Sequence, residues 1–267
     1  MLDPYFKTAF RLKHAQKRLC WLATESRVIR DATGVLFTCE EERLRARETF
    51  RPYECREQVV GLGIAGPVGD PAAHRKLFLD RYPHLATTRN LLFLGRIHPK
   101  KGCDLLIKAF AREASRDRQL RLVIVGPDEC GWKTELENLA AQEGVAPRVT
   151  FTGPLYGDLK WGALRAAHAL ALPSHTENFG ITVVEALACG VPVLISNEVN
   201  IWREIEADGA GLVGDANLSG TIGMLERWIG LTAEQRERMG ESALRSFANR
   251  FELEDFARRF AACLEAA

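Results

Sequence analysis

The sequence predicts an α/β protein with a doubly wound parallel sheet. Short apolar runs such as Leu120–Val125, Ala169–Leu172 and Val193–Ser196 are typical of strands that are buried on both faces. Between them lie stretches with helical periodicity, and turns rich in glycine and proline join the two kinds of segment. A regular alternation of this kind indicates parallel strands linked by crossover helices.

Composition narrows the class of protein. The chain has 267 residues, 46% of them hydrophobic, and its 36 basic and 35 acidic residues leave a net charge of +1. Such a balanced charge gives no field that would recruit nucleic acid. No apolar run approaches the ~18 residues of a membrane span, and the first residues lack the apolar core of a signal peptide. Seven scattered cysteines without a CxxC pair indicate free thiols in a reducing compartment, so we expect a soluble cytoplasmic protein.

The first 66 residues contain too few strands for a sheet of their own. Helical periodicity covers residues 5–31 and ends before Gly34, Val35–Phe37 is a short strand, Glu40–Phe50 is a charged helix, and a second short strand begins at Val59. Two strands do not make a stable sheet alone. The segment 1–66 is therefore expected to be an incomplete remnant of a second domain.

A linker and a helix, residues 67–89, come next. Gly61–Gly66 satisfies the pattern GxGxxG, but Pro67, Gly69 and Pro71 prevent a helix from opening directly after the last glycine. We therefore interpret it as an interdomain turn and not as a dinucleotide site. Asp70 is expected to cap a helix that runs to about Tyr82.

Residues 90–248 form the regular part of the pattern, a complete Rossmann-like domain, and a last helix occupies residues 249–267. The predicted strands are Leu91–Leu94, Leu120–Val125, Val149–Thr152, Ala169–Leu172, Val193–Ser196 and Gly211–Val213. The predicted helices cover about 103–115, 133–143, 158–167, 181–188, 201–207, 217–229, 232–247 and 252–265.

A polar loop, Pro173–Gly180, follows the predicted strand Ala169–Leu172 and leads into a helix. In open α/β sheets this is the place where ligands bind. Gly180 lets a ligand approach the amides that open the helix, which favour an anion. Two carboxylates, Glu177 and Glu185, flank those amides and are suited to neutral hydroxyl groups. A diphosphate with polyols on both sides, as in a sugar nucleotide, has this combination of groups.

A second loop, Gly95–Gly102, joins the first strand of the domain to its first helix. It places Lys100 and Lys101 at the mouth of that helix, where the helix dipole already presents positive charge. Two more positive charges there favour a bound diphosphate. Asn197–Asn200, which follows another strand, is expected to face the same site. No DxD motif and no cluster of His, Cys and Asp has the spacing of metal ligands, and His98 and His175 are not assigned a catalytic role.

These two loops carry a family resemblance. Glu177 to Glu185 matches the E-x7-E pattern of glycosyltransferase family 4, with Phe179-Gly180 in its usual place, and Gly95–Gly102 resembles the family's G-R-x4-K-G loop. The resemblance implies that Arg96 and Lys101 hold the diphosphate and activate the leaving group, that Glu177 orients the hexose, and that Glu185 binds the ribose hydroxyls. It implies a donor-binding set that consists of Arg96, Lys101, Glu177, Asn178, Phe179, Gly180, Ile181, Thr182 and Glu185, with Arg96, Lys101 and Glu177 also catalytic.

The resemblance also implies an architecture. Enzymes of this family look like two facing Rossmann-like domains, the GT-B fold. Residues 90–248 resemble the donor-binding C-terminal domain. Residues 1–66 resemble the end of the acceptor-side domain, and the last helix resembles one that crosses back to it. Most of the acceptor-side domain is therefore expected to be missing from this chain. There are three explanations: the chain starts at an internal methionine, it is one half of a split pair, or it is a natural truncation. We expect a protein partner or a second copy of the chain to cover residues 1–66.

The function that follows is a retaining glycosyltransferase that moves a hexose from a nucleoside-diphosphate sugar to an acceptor. The sugar nucleotide is its substrate, and neither a cofactor nor a metal ion is expected. Two alternatives remain open at this point: a nucleotide-sugar-binding module without turnover, and another GT-B enzyme such as a sugar-nucleotide epimerase. The base, the sugar and the acceptor are not encoded in these residues.

Overall fold

The computed structural model describes residues 11–265, and these form two compact units. One unit runs to Gly63 and resumes at Arg250, and the other is Ile64–Asn249. The acceptor-side and donor-side roles that the sequence suggests for the segments of the chain stay a prediction.

The first unit is mainly helical. Its elements in chain order are α1 (Arg11–Cys20), a π-helical turn (Trp21–Glu25), α2 (Ser26–Asp31), β1 (Val35–Phe37), α3 (Glu40–Thr49), β2 (Glu57–Val59) and, at the end of the chain, α12 (Leu253–Glu265). The predicted helix 5–31 is thus observed as one continuous stretch from residue 11 to residue 31, and its residues 5–10 lie outside the described part.

Trp21 anchors this helical stretch. It is completely buried, its Nε1 donates to the carbonyl of Pro52 at 2.8 Å, and its ring stacks on Phe50 with 5.3 Å between the centroids. Other apolar positions of the same stretch stay in solvent, and Leu12 and Val28 are 86% and 69% exposed. A single aromatic side chain therefore contributes the buried contact that an apolar stripe contributes in an ordinary amphipathic helix.

β1 and β2 pair in parallel, with Val35 opposite Glu57. The second strand begins two residues earlier than the sequence indicates, because Glu57 interrupts the apolar pattern. Its carboxylate is buried and neutralised: Arg43 Nη1 lies 3.0 Å away and Arg47 forms a second ion pair. Hydrogen bonds from Arg47 and Arg43 lower the pKa of Glu57 to about 2.

The GxGxxG segment opens no helix, as predicted, and has a packing role instead. The next helix begins only at Pro71, where Asp70 accepts hydrogen bonds from the amides of Ala72 and Ala73 at 3.1 Å each. A Cβ atom on Gly63 would lie 2.8 Å from the carbonyl oxygen of Glu252. Gly63 is thus required for close contact with the start of α12.

The second unit alternates strands and helices throughout. Its elements are α4 (Pro71–Arg81), β3 (Arg89–Leu94), α5 (Cys103–Glu113), β4 (Leu120–Val125), α6 (Lys133–Gln142), β5 (Val149–Gly153), α7 (Gly157–Ala166), β6 (Ala169–Leu172), α8 (Ile181–Ala188), β7 (Val193–Ser196), α9 (Trp202–Ala207), β8 (Gly211–Gly214), α10 (Leu218–Gly230) and α11 (Ala233–Ser246). Short 3-10 turns occupy Pro83–Leu85, Pro99–Lys101 and Ala146–Arg148, and a π-helical turn occupies Phe247–Phe251.

The six strands form one parallel sheet in the order β5-β4-β3-β6-β7-β8, which confirms the predicted fold class. This is the strand order of a Rossmann fold. The order reverses between β3 and β6, where Leu91 pairs with Ala169 and Leu92 with Leu170. In open sheets of this kind the ligand binds at such a switch point, beside the loops that leave β3 and β6.

Candidate active site

The two loops identified in the sequence meet at this switch point. The Gly95–Gly102 loop leaves β3 after Leu94, and the Pro173–Gly180 loop leaves β6 after Leu172. A backbone hydrogen bond joins them, because the amide of His175 donates to the carbonyl of Lys100 at 2.8 Å. Residues that are far apart in the sequence thus share one edge of the sheet.

Gly102 makes this contact between the loops possible. Its φ angle of 70° lies in the left-handed region, and a Cβ atom there would lie 2.2 Å from the carbonyl oxygen of Pro173. Any side chain at this position would force the loops apart.

Two helices begin at the same edge. α5 starts after Gly102 and α8 starts after Gly180, which also has a positive φ of 80°. Glycine has no side chain with which to cap a helix, so the first amides of both helices remain available to a ligand. Together with the helix dipoles, these amides favour a bound anion.

Lys101 and Glu177 form an ion pair between the two loops. Only 17% of the lysine side chain and 20% of the glutamate side chain are exposed. The backbone of Glu177 is fixed by the loop after β7: its amide donates to the carbonyl of Glu198 at 2.9 Å, and its carbonyl accepts from the amide of Asn200 at 3.1 Å. The Asn197–Asn200 segment therefore borders this site.

The ammonium group of Lys101 is in an unfavourable environment for a cation. Burial, together with the positive charges of Arg96 and Lys100, lowers the pKa of Lys101 to about 8 from 10.5. A negative group at this position relieves the repulsion. The structure thus places several basic side chains beside amides that favour an anion.

Arg96 lies at the more open side of the loop. Its side chain is 60% exposed, and its Nη1 contacts Glu129 Oε2 at 2.9 Å. Glu129 is in the loop between β4 and α6, and the sequence reasoning did not find it. The sequence does contain a signal that could have identified it, namely an acidic residue in a loop predicted at the same edge of the sheet. Arg96 and Lys101 are close enough for one to affect the pKa of the other.

Glu185 also has a basic partner that the sequence reasoning missed. Its Oε1 accepts a hydrogen bond from Lys160 Nζ at 2.7 Å, and the ammonium group lies 4.3 Å from the centroid of the Trp161 ring. The side chains of Lys160 and Glu185 are 25% and 13% exposed. No motif marks Lys160, because it belongs to the preceding helix, α7.

The remaining predicted site residues lie around the start of α8. Phe179 is 5% exposed, so it packs in the interior and can offer a ligand little beyond its backbone. Ile181 is 52% exposed, and Thr182 is partly exposed. Asn178 Oδ1 accepts a hydrogen bond from Asn200 Nδ2 at 3.3 Å.

The described residues meet neither the requirements of a metal site nor those of a membrane-spanning helix. Between residues 11 and 265, no three His, Cys, Asp or Glu side chains come together in a way that could hold a metal ion. None of the described helices is long and apolar enough to cross a membrane.

Comparison with known proteins decides the family. The family model described as glycosyl transferases group 1 matches residues 79–245, more than half of the chain. The chain belongs to this family. The matched residues include both site loops and all six strands of the sheet.

Individual relatives agree with this result. A D-inositol 3-phosphate glycosyltransferase of Frankia alni is 37% identical over 199 residues, which are 70% of this chain and 47% of that protein. A structure of Anabaena Alr3699/HepE in complex with UDP and glucose superposes with a TM-score of 0.80 and 18% identity, covering 100% of this chain and 69% of that one. Sucrose-phosphate synthase from Thermosynechococcus elongatus gives a TM-score of 0.78 at 21% identity, with 98% of this chain and 64% of that one covered.

The solved structures confirm the fold that the resemblance implies, a Rossmann-like sheet of the GT-B type. The chain spans about half or less of the length of the curated glycosyltransferases that it matches.

Proposed function

We propose that this chain binds a nucleoside-diphosphate sugar and forms the donor side of a retaining glycosyltransferase that transfers a hexose. The observation that carries the proposal is the meeting of Lys101, Glu177 and two uncapped helix N-termini at the switch point of the sheet. This arrangement supports a ligand with an anionic centre and hydroxyl groups beside it.

The diphosphate is assigned to the basic part of the site. Lys101, Arg96 and the first amides of α5 and α8 supply positive charge there. At ~5 Å and an effective dielectric constant near 20, one lysine and one phosphate charge attract each other by roughly 3 kcal/mol. Charge that develops on the departing nucleotide strengthens this attraction, so the same groups stabilise the leaving group without a metal ion.

The hydroxyl groups are assigned to the two carboxylates. Glu177 would accept from the hexose and Glu185 from the ribose, while the backbone from Asn178 to Thr182 lies between them. Each carboxylate has two oxygens, so Lys101 and Lys160 can keep their partners while a second oxygen accepts from the sugar. Hydrogen bonds to a carboxylate are stronger than those to a neutral acceptor, which favours this assignment.

The proposed reaction exchanges one bond at the anomeric carbon. The bond from this carbon to the diphosphate oxygen breaks, and its electron pair leaves with the nucleotide. The acceptor hydroxyl oxygen bonds to the same carbon, and its proton passes to the departing diphosphate oxygen. Membership of the family supports retention of configuration, which NMR of the product anomer would test.

Calorimetric titration tests donor binding directly. UDP-glucose is the first probe, because a structural neighbour is described in complex with UDP and glucose, and ADP- and GDP-sugars complete the panel. Lys101→Ala and Glu185→Ala should each weaken binding by about tenfold, the loss of one charge-assisted contact. Lys76→Ala and Glu206→Ala are the matched controls, because both side chains are exposed and lie outside the site. Unchanged affinity in the two site variants would remove these assignments.

A separate measurement tests turnover. D-inositol 3-phosphate is the first acceptor to try, because the curated relatives are named for it. Product formation that EDTA leaves unchanged supports a metal-independent transferase. Tight donor binding without transfer to any acceptor or to water would instead favour the nucleotide-sugar-binding module.

A further inference from the structure

A cavity with several basic lining residues lies on the side of the main sheet opposite to the candidate active site, where the strands begin. Its volume is about 420 Å³, which falls within the range of roughly 300–1,000 Å³ for small-molecule sites. It is lined by Arg75, Ala86, Thr87, Thr88, Arg89, Gln119, His168, Ala233 and Arg236. We call it the basic cavity.

The strands fix its position relative to the candidate active site. Arg89 is the first residue of β3, Gln119 precedes β4, and His168 precedes β6, so the cavity is at the amino-terminal ends of these strands. The loops that carry Lys101 and Glu177 leave the carboxyl-terminal ends of β3 and β6. A strand of the length of β3 separates the two edges by about 20 Å. The basic cavity is therefore not part of the donor site.

Positive charge in the cavity exceeds negative charge. Arg89 is paired with Asp117. Arg236 instead donates to main-chain oxygens, with Nε 3.3 Å from the carbonyl of Trp228 and Nη2 2.9 Å from that of Ile229. Neither Arg236 nor Arg75 forms an ion pair with any residue between 11 and 265. Three guanidinium groups thus share one carboxylate.

The neighbouring side chains respond to this excess. Burial, and then the charges of Arg89, Arg75 and Arg236, lower the pKa of His168. Burial and the charge of Arg89 also lower the pKa of Arg236. The fold thus places positively charged side chains close enough to repel one another. An anion bound between them would offset that repulsion.

Hydrogen-bond donors accompany the charges. His168 Nδ1 accepts from the amide of Asn90 at 3.1 Å, so the neutral ring carries its proton on Nε2, which is a donor. Ala233, which also lines the cavity, is the first residue of the 14-residue helix α11, whose N-terminus adds a partial positive charge. The lining thus combines charges and donors that suit phosphate oxygens.

We propose that the basic cavity is a second anion site, which takes a small phosphate-bearing metabolite independently of the donor. This proposal does not rest on the proposed transferase activity. The cavity requires only the fold of residues 64–249 and the side chains that surround it.

Calorimetry with inorganic phosphate, at constant ionic strength set by chloride, tests the site. Arg75→Glu reverses the charge of an exposed lining residue that has no ion pair, and Gln119→Glu adds a negative charge with almost no change of shape. Each should weaken phosphate binding by about tenfold, because a favourable contact becomes a repulsive one. Arg81→Glu, on the same helix as Arg75 but outside the cavity, should leave the affinity within about twofold of wild type.

Two further titrations show whether phosphate binds at the basic cavity or at the donor site. Lys101→Ala should retain phosphate binding, and Arg75→Glu should retain donor binding. Glucose 6-phosphate and AMP, titrated in place of phosphate, show whether a sugar or a nucleoside improves the fit.

Several outcomes would overturn the proposal. The absence of saturable phosphate binding is the simplest. Equal weakening in Arg75→Glu and Arg81→Glu would mean attraction to the general charge of the protein. Loss of phosphate binding in Lys101→Ala would assign the anion to the donor site.

Discussion

Two opposing influences act on the charge of Lys101. It is largely buried in a positively charged environment, and it contacts a carboxylate, Glu177, from the neighbouring loop. Burial and like charges disfavour the ammonium form, while Glu177 favours it. The protonation state of this one side chain should therefore control donor affinity around pH 8.

The first prediction follows from the pKa of about 8 for Lys101. Only the ammonium form attracts a diphosphate, and a bound diphosphate raises the pKa of this group again. Donor affinity should be constant well below pH 8, fall as the pH rises through 8, and level off about tenfold weaker, the loss expected for Lys101→Ala. Calorimetry with UDP-glucose between pH 6.5 and 9.5 measures the profile.

Lys101→Arg is the control for this profile, because a guanidinium group stays protonated throughout the range. Its affinity should be independent of pH above 8. A profile that falls equally in the wild type and in Lys101→Arg would show that another group titrates.

Lys160 and Glu185 lead to a prediction about stability. Their ion pair is mostly shielded from water, so removal of one partner leaves a charge without compensation. Lys160→Met should destabilise the protein by about 2 kcal/mol, and Glu185→Gln should then recover about 1 kcal/mol in the double variant. Urea unfolding of the four proteins measures the coupling. Strict additivity of the two single changes would mean that the pair contributes nothing.

Several loops of the second unit contain glycines with positive φ, and a comparison of two of them distinguishes the cost of backbone strain from the cost of a close contact. Gly102 and Gly144 have φ values of 70° and 72°, but only Gly102 faces a nearby atom, the carbonyl oxygen of Pro173. Gly144→Ala should cost about 1–2 kcal/mol in free energy of unfolding, the cost of a left-handed alanine. Gly102→Ala should cost at least about 3 kcal/mol, because the contact adds to the strain.

The same comparison extends to ligand binding. Gly102→Ala should also weaken donor binding, because the loops that carry Lys101 and Glu177 must separate, while Gly144→Ala should not. Thermal unfolding and calorimetry of the two variants provide the check. Equal losses of stability would show that the contact with Pro173 relaxes without cost.

The strands of the main sheet were predictable from the sequence because most of them consist mainly of apolar residues, as in strands that are buried on both faces. Leu120–Val125, Ala169–Leu172 and Val193–Ser196 have the predicted bounds. Where a charged residue is the first of a strand, the pattern misses the start of that strand: Arg89 opens β3 and Glu57 opens β2, each paired with a charged partner elsewhere in the chain.

The site loops were predictable for a different reason. Glycines with charged residues at fixed spacing mark a strand end followed by a helix. The partners of those charges were not predictable. Glu129 lies 33 residues from Arg96, and Lys160 lies 25 residues from Glu185. The basic cavity has no sequence signal, because its residues come from separate segments of the chain that only the fold brings together.

At the scale of the whole chain, the two units differ in how much structure each contains. All six strands of the main sheet lie between residues 64 and 249, with helices that begin and end in the same range. The first unit has a two-stranded sheet, and such a sheet is marginal in water without further packing. We therefore expect the second unit to fold as an independent domain and the segment 11–63 not to do so.

Expression of residues 64–249 alone tests this expectation. The fragment should unfold in one cooperative thermal transition and bind UDP-glucose within about threefold of the affinity of the full chain, because Arg96, Lys101, Glu177 and Glu185 all belong to it. Circular dichroism and calorimetry measure both properties, and the fragment 11–63 is the comparison, for which little signal from tertiary structure is expected. A fragment 64–249 that is folded but binds donor more than about tenfold more weakly would mean that the donor site needs residues of the first unit. Failure of that fragment to fold would show instead that the core of the second unit is incomplete without the first.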